Sequence, residues 1–259
     1  MAIRLKTPEQ IERMRLAGRI VWEVLNKLGE MAAPGITTEE LDRQAHELCR
    51  LRGGQCLFKG VPGRGLAGPF PGSICVSLNE QVVHGIPSKR TLIEGDIVSL
   101  DFGVRLDGWC ADAARTIIVG RASPTAHRLV EATREALDVA VRNCRLGGKW
   151  SAAARAMQNH VEQAGFSVVR EFVGHGIGQE MHEDPKVPNF VSRELLERDI
   201  VLKEGMVLAV EPMVNVGSPA VACADDGWTV VTKDGMPSAH FEHTIAVTAG
   251  GADVLTDGR

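Results

Sequence analysis

The chain has 259 residues, 44% of them apolar and 24% charged, which is ordinary globular usage and enough to bury a sizeable core. Its net charge of −4 argues against nucleic-acid binding through a basic surface, and no apolar run approaches the roughly 18 residues of a membrane helix. The 6 cysteines include no Cys-x-x-Cys pair and fit a reduced, cytoplasmic protein; the start Met1-Ala2-Ile3-Arg4-Leu5-Lys6 does not read as a signal peptide.

Thr7 predicts a helix N-cap, with Pro8 at the first helical position and Gln10 closing a capping box. Ile11, Met14, Ile20, Val21, Val24 and Leu25 give that helix its core-facing stripe, and Pro34-Gly35 ends it. Thr37 caps a second helix, with Glu40 completing the box and Leu41, Ala45 and Leu48 as the apolar stripe. The stretch from Lys59 to Gly72, rich in glycine and proline, reads as an exposed loop. His84 follows an apolar pair and precedes Gly85-Ile86-Pro87. It either projects into a cleft or is hydrogen-bonded at a strand end, and the residues alone leave both open.

The most telling segment runs from Asp96 to Val119. Asp107-Gly108 separates two strand-like runs, a strong signal for a two-residue hairpin. Leu106 should then face Trp109 and Gly103 should face Asp112, which makes Asp101 and Asp112 diagonal neighbours on one sheet face. Two carboxylates aimed at one point repel unless a cation lies between them. A metal site is the simplest reading.

Ser123-Pro124 starts a third helix, Gly147-Gly148 breaks it, and Ser151 starts a fourth that passes Val161 and ends near Gly165. The helix–glycine–helix plan therefore occurs twice, each time followed by strand-like runs. The expected organisation is one domain, 1–259, built of similar halves near 1–120 and 121–259. With the readable turns antiparallel and helices grouped outside the sheet, the class is α+β. His46, His127 and His160 fall on solvated helix faces and receive no function.

Further acids and a histidine stand out. His175 lies in Gly174-His175-Gly176-Ile177-Gly178, where the glycines allow close backbone approach; a turn and a ligand are both consistent with it. His182 follows in Met181-His182-Glu183-Asp184-Pro185. Glu211 ends the apolar run Val207-Leu208-Ala209-Val210 and precedes Pro212, so it is either a salt-bridge partner or a site residue. Glu242 shares a strand face with Thr244 and Ala246, a small polar face like that of Ser99, Asp101 and Gly103.

Together these segments resemble the type I methionine aminopeptidases of peptidase family M24. The resemblance runs from the first helix to Val247. It rests on Asn79-Glu80 through His84-Gly85-Ile86-Pro87, Asp101 with Asp112, Gly174-His175-Gly176-Ile177-Gly178 with His182, Glu211-Pro212-Met213, and Glu242-His243-Thr244. It implies a duplicated pita-bread fold and cotranslational removal of the initiator methionine from nascent polypeptide N-termini, preferentially before a small residue. It further implies a pair of divalent metal ions held by Asp101, Asp112, His175, Glu211 and Glu242, with Asp112 and Glu242 bridging. Glu211 is then the general base for a metal-shared water. His182 steadies the developing oxyanion, and His84 contacts the substrate near the scissile amide. Phe70, Cys75, Met181 and Trp228 match positions near the family's side-chain pocket. Oxygen-dominated ligation with a single imidazole accommodates manganese, iron(II), cobalt or zinc. The expected protein is a monomer with a transient ribosome encounter, without membrane or nucleic-acid specificity.

The chain departs from common family members at Met181, where phenylalanine is usual, and in the segment from Lys59 to Gly68, which is longer than in compact bacterial forms; no zinc-binding extension precedes the first helix. An X-prolyl peptidase of the same fold, which usually carries an additional N-terminal domain, is the nearest enzymatic rival. A catalytically silent binding protein is the rival from another class.

Overall fold

The computed structural model describes residues 3–63, 65 and 67–259; Met1 and Ala2 of the N-terminal reading, and Arg64 and Leu66 of the glycine-rich stretch, lie outside the described residues. Helix α1, Pro8–Met31, starts as expected. The Thr7 hydroxyl accepts from the Gln10 N–H while the Gln10 side chain accepts from the Thr7 N–H. Met14, Ile20, Val21, Val24 and Leu25 are buried, joined by Ala17 and Leu28. Helix α2, Thr38–Leu51, repeats the box with Thr37 and Glu40. Strands β1 (Gln55–Cys56), β2 (Cys75–Leu78) and β3 (Gln81–Val83) follow.

Strands β4 (Ile97–Leu106) and β5 (Trp109–Ile118) form the hairpin in the expected register, Leu106 opposite Trp109 and Gly103 opposite Asp112. Asp107 and Gly108 both take positive φ, 48° and 81°, as a type I′ turn requires.

Helix α3, Pro124–Asn143, is capped by Ser123, and α4 is Trp150–Gln163. Helix α4 starts one residue before the expected Ser151, with Lys149 at the cap position giving no side-chain bond. The carboxylate of Asp199 substitutes for a cap, accepting from the Ser151 N–H at 3.1 Å and its hydroxyl at 2.6 Å. A cap supplied from a distant segment leaves no mark in the local sequence.

The remaining elements are β6 (Ser167–Val168), β7 (Gly174–Gly176), β8 (Glu183–Val187), α5 (Arg193–Glu197), β9 (Val207–Val210), β10 (Met213–Asn215), β11 (Val221–Cys223), β12 (Val230–Thr232), β13 (Ser238–His240), β14 (Glu242–Thr248) and β15 (Gly251–Val254). The main sheet runs β1-β4-β5-β14-β9-β7-β8, with β2 added on β4 and β15 on β14. Its pairings are all antiparallel. Small sheets β13-β10-β6 and β11-β12-β3 flank it.

Helices lie outside the sheet. One core joins α1 and α2 to β2, β4 and β5 through Val21, Leu28, Leu41, Leu100 and Phe102. The other joins α3 and α4 to β9 and β14 through Leu129, Trp150, Met157, Leu208 and Ile245. Both faces of β4, β5, β9 and β14 are therefore largely buried, and a charge on either face needs a partner. Among the described residues, no helix is long and apolar enough to cross a membrane.

Candidate active site

The sheet order explains how residues far apart in the chain come together. Asp101 lies on β4, Asp112 on β5, Glu242 on β14, Glu211 one residue past β9 and His175 on β7; these are consecutive neighbours in the main sheet. The register also puts them on one face. Asp101 and Glu242 both pair with Ala114, and Asp112 is two residues from Ala114. His175 and Thr244 both pair with Ala209, and Glu211 is two residues from Ala209. Alanines at 114 and 209 leave open the volume above them. Gly103, opposite Asp112, is closely covered; a Cβ there would stand 3.1 Å from the Phe58 ring and 3.3 Å from the Asp112 Oδ1.

The acids behave as a crowded group. Burial raises the Asp101 carboxyl to about 7, against the lowering effect of its hydrogen bond with Asp112. Burial, then the charges of Glu242 and Asp101, push Asp112 well above the usual carboxylate range. Glu211 and Glu242 are driven the same way by burial and by their acidic neighbours. Asp101 Oδ1, Asp112 Oδ1 and Glu242 Oε1 are buried without a hydrogen-bond partner. Orphaned buried oxygens are rare in folded proteins, and these belong to acids of one sheet face. Ligand atoms of Asp112, His175 and Glu242 all lie within 4.8 Å of one another.

The His175 ring is oriented by its own backbone and turns Nε2 towards Glu211. Its Nδ1–H donates to the Gly176 carbonyl at 2.9 Å, which leaves Nε2 with a free lone pair, 3.6 Å from the Glu211 Oε1. Burial holds its pKa down near 4, keeping the ring neutral. The glycines around it are close-approach positions. A Cβ on Gly174 would stand 2.3 Å from the Ala209 carbonyl oxygen, and one on Gly176 would stand 2.3 Å from that of Asp184.

Supporting groups that the sequence reading does not single out fix the acids' backbones. The Thr244 hydroxyl donates to the Asp112 carbonyl at 2.8 Å and accepts from the Asp112 N–H at 3.0 Å. The Asn189 amide donates to the Glu211 carbonyl at 3.0 Å. Phe58 and Phe172 also enter the site wall unannounced.

Next to the acids lies an apolar cluster, which the proposed function treats as a recess. Phe70, Cys75, Met181 and Trp228 gather there with Phe58, Leu57, Val61 and Ile86. Cys75 pairs with Asp101 across β2 and β4, so the recess adjoins the acidic face directly. Phe70 meets Trp228 edge-on at 5.1 Å between centroids, and the indole N–H donates to the Gly68 carbonyl at 2.9 Å. The described residues of the glycine-rich stretch are mostly exposed or half-buried, and the buried Phe70 anchors them. His84, at φ 60°, stands edge-on to Phe172 at 5.5 Å and to Trp228 at 6.5 Å. His182 is exposed at the rim, its ring centroid 4.3 Å from that of His175.

A further regularity links the two parts of the chain. Residues 91–101, TLIEGDIVSLD, and residues 201–211, VLKEGMVLAVE, read alike; Asp101 ends one and Glu211 ends the other. The Gly95 N–H bonds the Val119 carbonyl and the Val119 N–H bonds that of Asp96; Gly205, Val247 and Met206 repeat the pattern. Antiparallel pairs β4–β5 and β9–β14 therefore correspond, each delivering acids to the shared face.

The comparisons with known proteins agree with this geometry. The model of metallopeptidase family M24 matches residues 12–249. A methionine aminopeptidase of Clostridium perfringens is 48% identical over 97% of this chain and 98% of its own. A crystal structure of a methionine aminopeptidase from Thermotoga maritima superposes with a TM-score of 0.92 at 41% identity, over 98% of this chain and 99% of that one. The prolidase of Pyrococcus furiosus shares the fold, with a TM-score of 0.77 at 22% identity; this chain covers 66% of it. The fold is therefore the pita-bread α+β architecture, and the chain belongs to metallopeptidase family M24, within its methionine aminopeptidase group.

Proposed function

We propose that the chain is a methionyl aminopeptidase that removes N-terminal methionine from nascent polypeptides, preferentially before a small residue, with a pair of divalent ions held by Asp101, Asp112, His175, Glu211 and Glu242. One observation carries the reading: donors from neighbouring strands converge on a single buried face, with carboxylate oxygens left orphaned there. Carboxylates at 101, 112, 211 and 242 match the charge of a dication pair, which answers the cost of burying them. By the family resemblance Asp112 and Glu242 would be the ligands shared between the ions; they are also the more deeply buried of these acids, at 4% and 2% exposure.

Bound ions would supply Lewis acidity towards the scissile carbonyl and acidify water in the site. The chain's own groups do the rest. Glu211, at the end of β9 beside the His175 imidazole, takes the proton of the attacking water and returns it to the leaving amine. His182 at the rim donates to the carbonyl oxygen as negative charge develops there. His84, braced by Phe172 and Trp228, holds the substrate near the scissile amide. The recess of Phe70, Cys75, Met181 and Trp228 receives the methionine side chain, and the Met181 thioether adapts its shape to it. Manganese, iron(II), cobalt and zinc all suit this donor set. The reading includes a single pita-bread catalytic domain over 1–259, made of related halves 1–120 and 121–259. It also carries a cytoplasmic location, action as a monomer and a transient encounter with the ribosome, where the substrate emerges.

The test is hydrolysis of Met-Ala-Ser against an X-Pro peptide by chelated enzyme restored with one metal at a time. Faster cleavage of the X-Pro peptide would reverse the assignment in favour of a prolyl peptidase. A metal-replete chain with no peptidase activity would indicate a binding protein. His84→Ala should keep its metals while turnover falls roughly 10²-fold; loss of both ions in that variant would make His84 a ligand.

A further inference from the structure

Away from the acidic face, α2 and β1 bring together reactive groups that the proposed chemistry does not use. Asp42, His46 and Cys49 recur at helical spacing on one side of α2. The chain turns back after Leu51, with the Gly54 N–H bonded to the Cys49 carbonyl at 3.0 Å, and this return places Cys56 on β1 beside the helix. Gly54 permits the approach: a Cβ there would stand 2.9 Å from the Cys49 sulfur and 2.9 Å from the Val104 Cγ1. Gly54 and Cys56 are two residues apart along this return and share a side, so Cys56 faces the helix surface that carries Cys49 and His46. His46 Nδ1 lies 4.0 Å from the Cys56 sulfur and 3.1 Å from the Ser73 hydroxyl. The Asp42 carboxylate accepts from the N–H groups of Ser73 and Ile74, which fixes that serine in place.

The two sulfurs are not equivalent. Cys49 is fully buried, whereas Cys56 is partly exposed. The S–H of Cys49, with help from Ser73 and His46, stabilises the Cys56 thiolate and lowers its pKa to about 6, while the Cys49 thiol is pushed up. A reachable thiolate next to a protonated buried thiol is the arrangement of a peroxide-reactive cysteine with its resolving partner.

We infer that Cys56 and Cys49 form an oxidation site, in which a hydroperoxide is reduced at Cys56 and the pair closes into an intrachain disulfide. The Cys56 thiolate attacks the peroxide O–O bond, giving a sulfenic acid and the alcohol or water of the leaving oxygen. The Cys49 sulfur then attacks the sulfenic sulfur, losing its proton as the S–O bond breaks and water leaves. One peroxide is reduced by two electrons and the thiol pair is oxidised by the same two. Cys56 directly precedes Leu57 and Phe58 of the recess wall, so the site adjoins the methionine pocket without belonging to it.

The test treats zinc-loaded enzyme, whose metal is redox-inert, with hydrogen peroxide at one equivalent and reads the products by peptide mass spectrometry. Trypsin separates Gln44–Arg50 from Gly53–Lys59, so the bond appears as a cross-linked peptide lighter by two hydrogen atoms than its parts. Alkylation of Cys56 at neutral pH should run about tenfold faster than that of the exposed Cys223, as expected for a largely ionised thiol. In Cys49→Ser, a 1,3-dione should trap the sulfenic acid on Cys56, and no cross-link should form. Two results would overturn the inference: Cys49 still free in the wild type after Cys56 has oxidised further, or Cys56 less reactive to both reagents than Cys223. Neither readout depends on peptidase activity, so the metal-site reading can fail while this one stands.

Discussion

Asp101 and Glu242 belong to different strands yet face the same residue, Ala114, from opposite sides. The size of that alanine sets the space between the two carboxylates. Ala114→Val should therefore fold with a stability loss of roughly 1–3 kcal/mol from overpacking but bind metal poorly. Metal titration followed by circular dichroism separates the two effects. Undiminished metal affinity in the variant would show that the volume above residue 114 is not part of the site.

Asp101→Ala and Glu211→Ala should fold, yet lose metal and peptidase activity. The metal-free forms should tell the more physical story. Each removed acid relieves a group that its buried neighbours hold protonated or repel, so chelated Asp101→Asn should be more stable than chelated wild type by on the order of 1 kcal/mol and unfold at a higher temperature. Calorimetry of the chelated proteins checks this, and full turnover in any of these variants would contradict the assignment.

Metal binding should release protons. With Asp101 raised to about 7 and Asp112, Glu211 and Glu242 raised as well, the metal-free site holds protons near neutral pH that ligation must displace. Apparent affinity should rise with pH between about 6 and 8. Titration calorimetry in buffers of different ionisation enthalpy should give different observed heats. Identical heats in all buffers would mean that the acids are already ionised.

Lys6 and Glu183 form a buried pair, 2.8 Å apart, that ties the segment presenting Met181 and His182 to the residues just before α1. Burial alone would raise the Glu183 carboxyl, but the Lys6 ammonium and the N–H groups of Glu180 and Gln179 hold it below the usual range. A carboxyl with a lowered folded pKa contributes stability above its unfolded pKa and loses it as pH falls through the folded value. Lys6→Met should therefore cost about 3 kcal/mol at neutral pH, with the difference from wild type shrinking below about pH 4. Urea unfolding at a series of pH values measures it, and a pH-independent difference would point to packing alone.

Much of this site is legible in the sequence because its signals are local. Thr7, Thr37 and Ser123 announce helices through caps, and Asp107-Gly108 sets the register that places Asp101 beside Asp112. His175 is harder to read. The glycines around it owe their presence to carbonyls of Ala209 and Asp184, which a chain-order reading cannot see. The start of α4 is misplaced by one residue for the same reason, since Asp199 caps it from outside. The correspondence of 91–101 with 201–211 is in the sequence, but it becomes persuasive only when the hydrogen bonds of Gly95 and Gly205 are seen to match. Thr244 and Asn189 act on backbone atoms of distant acids, a role with no sequence signature.

Strand β14 is made late in synthesis but lies in the middle of the sheet, between β5 and β9. Until Glu242 and its strand emerge, β5 has no neighbour on that side, and Asp101, Asp112, His175 and Glu211 have no shared surface to line. A growing chain can thus complete its helices and its first hairpin while still unable to sequester metal. Closure of the sheet and assembly of the acidic face become one late, long-range event, so a chain halted before residue 242 should remain inert.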